Sequence, residues 1–199
     1  MSAILRLREF ARSGKSVRGC ELCASGLEDV HPHLVQIAES KLLCCCVPCA
    51  LLLGQGSEGR YRRVPDRIRR LADLRMTDAQ WEALEIPVDL AFFYRSTRLT
   101  KTVALYPSPL GAVECLLPLA SWTEILAANP ALETLEPDVE ALLVNRARQR
   151  REHYRVPIDA CYRLVGLVRK GWRGFSGGDV WKDVDGFFED LRSRSEASR

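Results

Sequence analysis

The chain has 199 residues, of which 47% are hydrophobic and 28% are charged, and its formal net charge is +3. This composition is that of a globular protein with enough apolar side chains to bury a core. The near balance of acidic and basic residues gives no indication of a polyanionic partner.

The chain lacks the features of a membrane or secreted protein. Its longest apolar run, Leu42 to Leu53, has 12 residues and contains Pro48, whereas a spanning helix needs about 20 residues. The N-terminal residues carry arginines and no continuous apolar region, so they do not form a secretory signal. We therefore expect a cytoplasmic protein without a membrane span, in which cysteines stay reduced and serve as metal ligands or redox groups.

The first 58 residues predict a small Cys/His module. Apolar residues among the arginines near Ile4 to Phe10 indicate a short N-terminal helix, and Cys20 to Cys23 predict a tight knuckle. A β-hairpin should follow, with one arm at residues 34–37 and the other at 42–45. Pro48 suits the first turn of a helix, which should end near Gly54. Knuckle, hairpin and helix, in this order, predict a treble-clef or zinc-ribbon-like module.

Two C-x-x-C pairs, Cys20 with Cys23 and Cys46 with Cys49, are separated by 22 residues. Each pair can place two sulfurs within one turn, and the hairpin can bring the pairs together as a tetrahedral set. We favour zinc, with an iron–sulfur cluster as the main alternative because both use thiolate ligands. Buried structural cysteines and a redox C-x-x-C pair are the other interpretations.

Three more candidate ligands exceed the needs of one zinc ion: His31, His33 and Cys44. Cys44 and Cys46 share a strand face, so Cys44 can join the metal cluster, whereas Cys45 points to the other face. The two histidines would also share a face in an extended segment. The surplus leaves three possibilities open: a mixed Cys/His site, a second metal, or a cluster with Cys and His ligands.

Residues 59–199 predict an α+β domain. Apolar residues at helical spacing, from Val64 to Leu74, indicate an arginine-rich helix, and Thr77 to Gln80 read as a capping box. Residues 88–95, 102–106 and 112–117 then predict three strands of an antiparallel meander. Ser121 to Glu124 read as a second capping box, and the run Val139 to Val144 can be a strand or a helix. Extended chain at residues 154–158 should lead to a helix capped by Asp159, and an amphipathic helix should follow residue 179.

The sequence contains no catalytic constellation, so an enzyme is not favoured. His153 has no nearby serine or cysteine arrangement that would make it a catalytic base. The arginines at residues 60–70 and 146–151 could contact nucleic acid, but acidic residues dilute both stretches, and a solvated face is the favoured interpretation.

Seven strings spread over nearly the whole chain carry a family resemblance. They are Cys20–Cys23, His31–Leu34, Leu43–Ala50, Tyr106–Gly111, Glu136–Leu143, Val156–Tyr162 and Trp172–Gly178. With them the chain resembles an uncharacterised bacterial family, a domain of unknown function encoded in operons of hydrogen-scavenging nickel-iron hydrogenases. The family's second cysteine cluster resembles C-x-C-x-x-C, which matches Cys44, Cys46 and Cys49 and leaves Cys45 as an extra.

The resemblance implies an accessory or maturation protein whose partner is a hydrogenase subunit or another maturation factor. Together with the cysteine pattern it predicts a zinc-binding protein that acts through protein contacts. The alternatives are an iron–sulfur protein for electron transfer or cluster delivery and, less favoured, a nucleic-acid-binding regulator.

Overall fold

The computed structural model describes residues 19–54, 59–171 and 178–197. The helix predicted near Ile4 to Phe10 lies outside these residues. The described chain has the predicted α+β architecture, with two antiparallel sheets and flanking helices. Within the described residues, no helix is both long and apolar enough to cross a membrane.

The smaller sheet belongs to the cysteine-rich module and has the order β2-β1-β3. The predicted hairpin is confirmed, and Ser40 adopts the left-handed conformation at its turn. Leu34 is fully buried in a small apolar cluster with Cys20, Cys45 and Ala50. The elements of this module are β1 (His33–Gln36), β2 (Lys41–Cys44), α1 (Val47–Gly54) and β3 (Tyr61–Arg63).

The larger sheet has six strands in the order β4-β9-β8-β5-β6-β7. It contains the predicted meander as β5, β6 and β7, all paired antiparallel. Its strands are β4 (Arg69–Arg70), β5 (Leu90–Ser96), β6 (Lys101–Ser108), β7 (Gly111–Cys115), β8 (Glu140–Asn145) and β9 (Glu152–Pro157).

The ambiguous run at residues 139–144 is the central strand β8, and all six of its residues are buried. Leu143 packs into one apolar cluster and Leu142 into another on the opposite face. A strand that is buried on both faces does not alternate between polar and apolar residues, so the periodicity of this run does not distinguish a strand from a helix.

Helices cover both faces of this sheet. One cluster contains apolar residues of α4 and α5, such as Leu164 and Phe188, and the other contains Trp81 of α2 and Trp122 of α3. Val35 of the hairpin packs into the first cluster, so the module contacts the α4 side. The helices are α2 (Asp78–Glu82), α3 (Leu119–Ala128), α4 (Ile158–Gly171) and α5 (Gly178–Ala197).

Two predicted features in the middle of the chain are wrong. The arginine-rich stretch is not a helix but forms β3, β4 and the irregular segment between them. Pro65 explains this, because it has no N–H group and disfavours the helical conformation for Val64. The capping box at Ser121 is absent, because α3 already begins at Leu119. The capping box of Thr77 and Gln80 is present as predicted.

Asp159 is also not the cap of its helix, because α4 begins one residue earlier, at Ile158. Its carboxylate instead contacts His33 of the cysteine-rich module. The predicted domain boundary between residues 58 and 59 stays a prediction; β3, which follows it, pairs with β1.

Candidate metal centre

Cys20 and Cys23 bracket a tight turn. The Cys20 N–H donates to the carbonyl of Ser25 at 2.7 Å, and the Ala24 N–H donates to the carbonyl of Cys20 at 2.8 Å. Ala24 lies in the left-handed region with φ 62°, and Gly19 and Gly26 form a bridge that closes the base of the turn. These bonds give the knuckle that the C-x-x-C spacing predicts.

The second pair opens the helix α1. Cys46 directly precedes the helix, Cys49 lies in its first turn, and the Ala50 N–H donates to the Cys46 carbonyl at 2.9 Å. Pro48 occupies the first turn, where its missing N–H is not needed. One helical turn therefore presents both sulfurs of this pair on the side of the knuckle.

The four sulfurs of Cys20, Cys23, Cys46 and Cys49 all lie within 4.8 Å of one another and could hold a metal ion. The Cys23 and Cys46 sulfurs are 3.7 Å apart. A tetrahedral ion with metal–sulfur bonds of about 2.3 Å separates its ligand sulfurs by about 3.8 Å. The cysteine geometry therefore fits one tetrahedral ion.

Hydrogen bonds prepare three of these thiols for the thiolate state. Burial acts to raise the pKa of Cys20, but backbone hydrogen bonds from Cys46, Leu22 and Cys23 lower it further than burial raises it. Hydrogen bonds from the Ser25 side chain and backbone lower the pKa of Cys23. A backbone hydrogen bond from Cys49 is the main cause of the lowered pKa of Cys46.

Cys49 behaves in the opposite way. Its hydrogen bonds to Cys46 and Cys23 raise its pKa. The raised pKa favours a protonated Cys49 beside its three neighbours, because close thiolates repel one another. Metal ligation requires deprotonated thiols, so a bound divalent cation would displace this proton.

His31, His33 and Cys44 form a second group, whose ligand atoms also lie within 4.8 Å of one another. His33 begins β1 directly opposite Cys44 at the end of β2, and the two imidazole rings have centroids 5.0 Å apart. Among the described residues, the seven predicted ligands thus fall into two groups rather than one. Cys44 lies with the histidines and not with the four cysteines.

Asp159 completes the surroundings of His33, with its carboxylate 3.0 Å from Nδ1. Burial acts to lower the pKa of His33, but hydrogen bonds and charges from Asp159 and Cys44 outweigh it and raise the pKa to about 9. Sequence reasoning missed Asp159 as a site residue. No local signal could have revealed it, because it reaches the histidine only through the packing of α4 against the module.

Cys45 belongs to neither group. It is fully buried, and its sulfur lies 3.2 Å from the carbonyl of Pro32, to which the thiol donates. Burial and the neighbouring thiolates raise its pKa to about 11. Cys45 is thus a protonated core residue.

The fold and the four-cysteine site define this chain as an α+β protein with a zinc-ribbon-like module. A family model described as a family of unknown function (DUF5947) matches residues 19–195, so the chain belongs to that family. No curated protein and no solved structure matches it. The family membership predicted from the sequence strings is therefore confirmed.

Proposed function

We propose that the protein is a zinc-binding accessory protein of the cytoplasm, which acts by contacting a partner protein. The observation that supports this proposal most is the convergence of the Cys20, Cys23, Cys46 and Cys49 sulfurs. Four thiolates fill the coordination sphere of zinc and leave no position for a substrate, which is the pattern of a structural site. Such an ion contributes roughly 10 to 16 kcal/mol to folding of a small module.

The close spacing of the sulfurs favours one ion over an iron–sulfur cluster. A four-iron cluster binds each cysteine to a different iron, and a two-iron cluster binds two cysteines to each iron, so the four sulfurs of either cluster spread wider than the corners of one tetrahedron. All four sulfurs of this chain lie within 4.8 Å of one another. The Cys23 and Cys46 sulfurs, which come from different C-x-x-C pairs, are 3.7 Å apart, the length of one tetrahedral edge.

Helix α1 offers a docking surface next to the metal ligands. It exposes three apolar side chains, with Val47 58%, Leu51 47% and Leu52 75% accessible. Its position is set by Cys46 and Cys49, so zinc would hold this surface in place. The operon context implied by the family resemblance makes a hydrogenase subunit or a maturation factor the proposed partner.

The arginine-rich stretches support a nucleic-acid partner less well. Arg67 pairs with Glu140 at 3.0 Å, and Arg150 pairs with Asp185 at 3.0 Å. An arginine engaged with a carboxylate is less available to a phosphate.

Metal quantitation and a visible spectrum test the proposed ion. Protein purified without chelator, both aerobically and anaerobically, should contain zinc and remain colourless, and the Cys20→Ser/Cys23→Ser variant should lose that zinc. Brown anaerobic protein with iron and labile sulfide would overturn zinc in favour of the cluster. Protein with neither metal would overturn the metal proposal altogether.

Co-purification tests the proposed partner. The tagged chain, co-expressed with the hydrogenase subunits and maturation factors, should retain one of them, and Leu51→Glu/Leu52→Glu should abolish retention without loss of zinc. Leu110→Glu is a matched control, because Leu110 is 91% accessible but lies between β6 and β7, outside the module. Equal retention by all three proteins would contradict docking through α1.

A further inference from the structure

We propose that His31, His33 and Cys44 form a second metal site, separate from the four cysteines, that binds an exchangeable divalent transition-metal ion. The three ligand atoms converge within 4.8 Å. This site goes beyond the zinc ion of the proposed function, and its chemistry differs because it combines two imidazoles with one thiolate.

The two ring nitrogens of His31 differ: Nδ1 makes a hydrogen bond, and Nε2 is available to bind a metal ion. Its Nδ1 lies 2.8 Å from the carbonyl of Glu28, which can only accept, so Nδ1 carries the proton. Its Nε2 is therefore a lone-pair donor. This atom is buried and has no hydrogen-bond partner among the described residues. A buried acceptor without a partner is destabilising, and a metal ion on Nε2 would give it one.

His33 is oriented by a carboxylate. Its Nδ1 lies 3.0 Å from the Asp159 carboxylate, which leaves Nε2 as the metal-binding nitrogen. A histidine that ligates metal commonly donates its other N–H to a carboxylate or carbonyl, which fixes the ring and raises its basicity. His31 and His33 show both versions of this arrangement, one with a carbonyl and one with a carboxylate.

Cys44 is held in place by Glu21, a residue of the four-cysteine knuckle. The Cys44 N–H donates to the Glu21 carboxylate at 2.7 Å, and the Glu21 N–H donates to the Cys44 carbonyl at 3.0 Å. Lys41 pairs with the same carboxylate at 2.9 Å. The knuckle thus positions the thiol ligand of the second site, so the first metal site supports the second.

Three protein ligands leave a tetrahedral ion with one open position for water or an exogenous ligand. Imidazole and thiolate together suit Zn²⁺ and Co²⁺ better than Mg²⁺ or Ca²⁺, which prefer oxygen. Both histidine side chains are only partly buried, so the second site lies closer to the surface than the protein core. We therefore assign an ion that exchanges faster than the one held by four thiolates.

The same residues could be read as a nucleophilic thiol, because Cys44, His33 and Asp159 follow the order of a Cys–His–Asp triad. That arrangement does not use His31, whose unpartnered Nε2 lies in the same group. The metal interpretation uses all of these residues and is the one we adopt. The two interpretations differ in whether an added ion protects the Cys44 thiol.

Stoichiometry in the full chain tests the site directly. The metal-free protein, kept reduced, is titrated with Co²⁺ and then with Zn²⁺, and bound metal is quantified. Wild type should bind two equivalents, whereas His31→Gln and Cys44→Ser should each bind one and keep the wild-type circular dichroism. Cys45→Ala, at the next residue along the chain, is the matched control and should bind two. Asp159→Asn should weaken only the second equivalent, about 10- to 100-fold.

Alkylation provides a second readout, whose main comparison, with and without the second equivalent of metal, is made on the wild-type chain. Iodoacetamide labelling with peptide mass spectrometry should show Cys44 protected by the second equivalent of metal in wild type but not in His31→Gln. One equivalent in wild type that His31→Gln retains, two equivalents in His31→Gln, or equal Cys44 labelling with and without the second equivalent would each overturn the proposal. The Cys20→Ser/Cys23→Ser variant tests the proposed function instead, because it should lose the ion of the four-cysteine site. If this variant binds as much metal as wild type, the proposed function fails, and this failure is distinguishable from the failure of the second site.

Discussion

His153 should make the protein lose stability in mild acid. It lies on β9, is buried, and its Nε2 has no hydrogen-bond partner among the described residues. Burial and the positive charge of Arg146 lower its pKa to about 4, against a smaller opposing effect of Glu152. The folded chain therefore holds a neutral imidazole where the unfolded chain would protonate it.

The size of the effect follows from the two pKa values of His153, 6.5 for an unperturbed histidine and about 4 in the fold. Between these values the unfolded state binds more protons, so the free energy of unfolding falls as the pH drops. The difference of about 2.5 pKa units, at 1.36 kcal/mol each, corresponds to about 3 kcal/mol. About 2 kcal/mol of this should be lost between pH 7.5 and pH 5.

A His153→Leu variant removes the titrating group with little change in volume. At pH 7.5 its unfolding free energy should lie within about 1.5 kcal/mol of wild type, and at pH 5 it should have gained about 2 kcal/mol relative to wild type. Urea unfolding followed by the fluorescence of buried Trp81 and Trp122 measures both. Acid effects on the metal ligands are common to the two proteins and cancel in the comparison. An identical change with pH in both would refute the reasoning.

Replacing Arg155 by Met should cost about 1.5 to 3 kcal/mol in urea unfolding, because the fully buried Glu140 carboxylate loses one of its two arginine partners and keeps Arg67. The double variant with Glu140→Leu should recover most of the loss, and a cost below about 1 kcal/mol for the single variant would contradict a buried charge. Cys20→Ser should remove hydrogen-exchange protection from β1 and β2 but not from β8, because the proposed zinc ion would contribute to folding of the module; unchanged protection of the hairpin would count against this. Thr77→Ala should cost about 1 kcal/mol through loss of the α2 capping box, whereas Ser121→Ala should change stability by less than about 0.5 kcal/mol. Equal effects of the last two would show that the helix starts are assigned wrongly.

The sequence alone determined the features that depend on short-range spacing. Two cysteines three residues apart can meet one ion within a single turn, so the pattern predicted the knuckle at Cys20 and a helix that starts between Cys46 and Cys49. The hairpin, the meander and the capping box at Thr77 are local for the same reason. Their hydrogen bonds join residues that are close along the chain, so polar–apolar alternation, turn residues and capping residues predict them.

Only the tertiary structure decided how the remaining candidate ligands are grouped. Cys44 fitted one shared cluster by its strand face, but the hairpin register places it opposite His33 and away from the four cysteines. Asp159 reaches His33 only because α4 packs against the module. Strand and helix periodicity predict the face on which a side chain lies. A set of metal ligands depends on which elements, distant in the sequence, pack together, and no local sequence pattern predicts that packing.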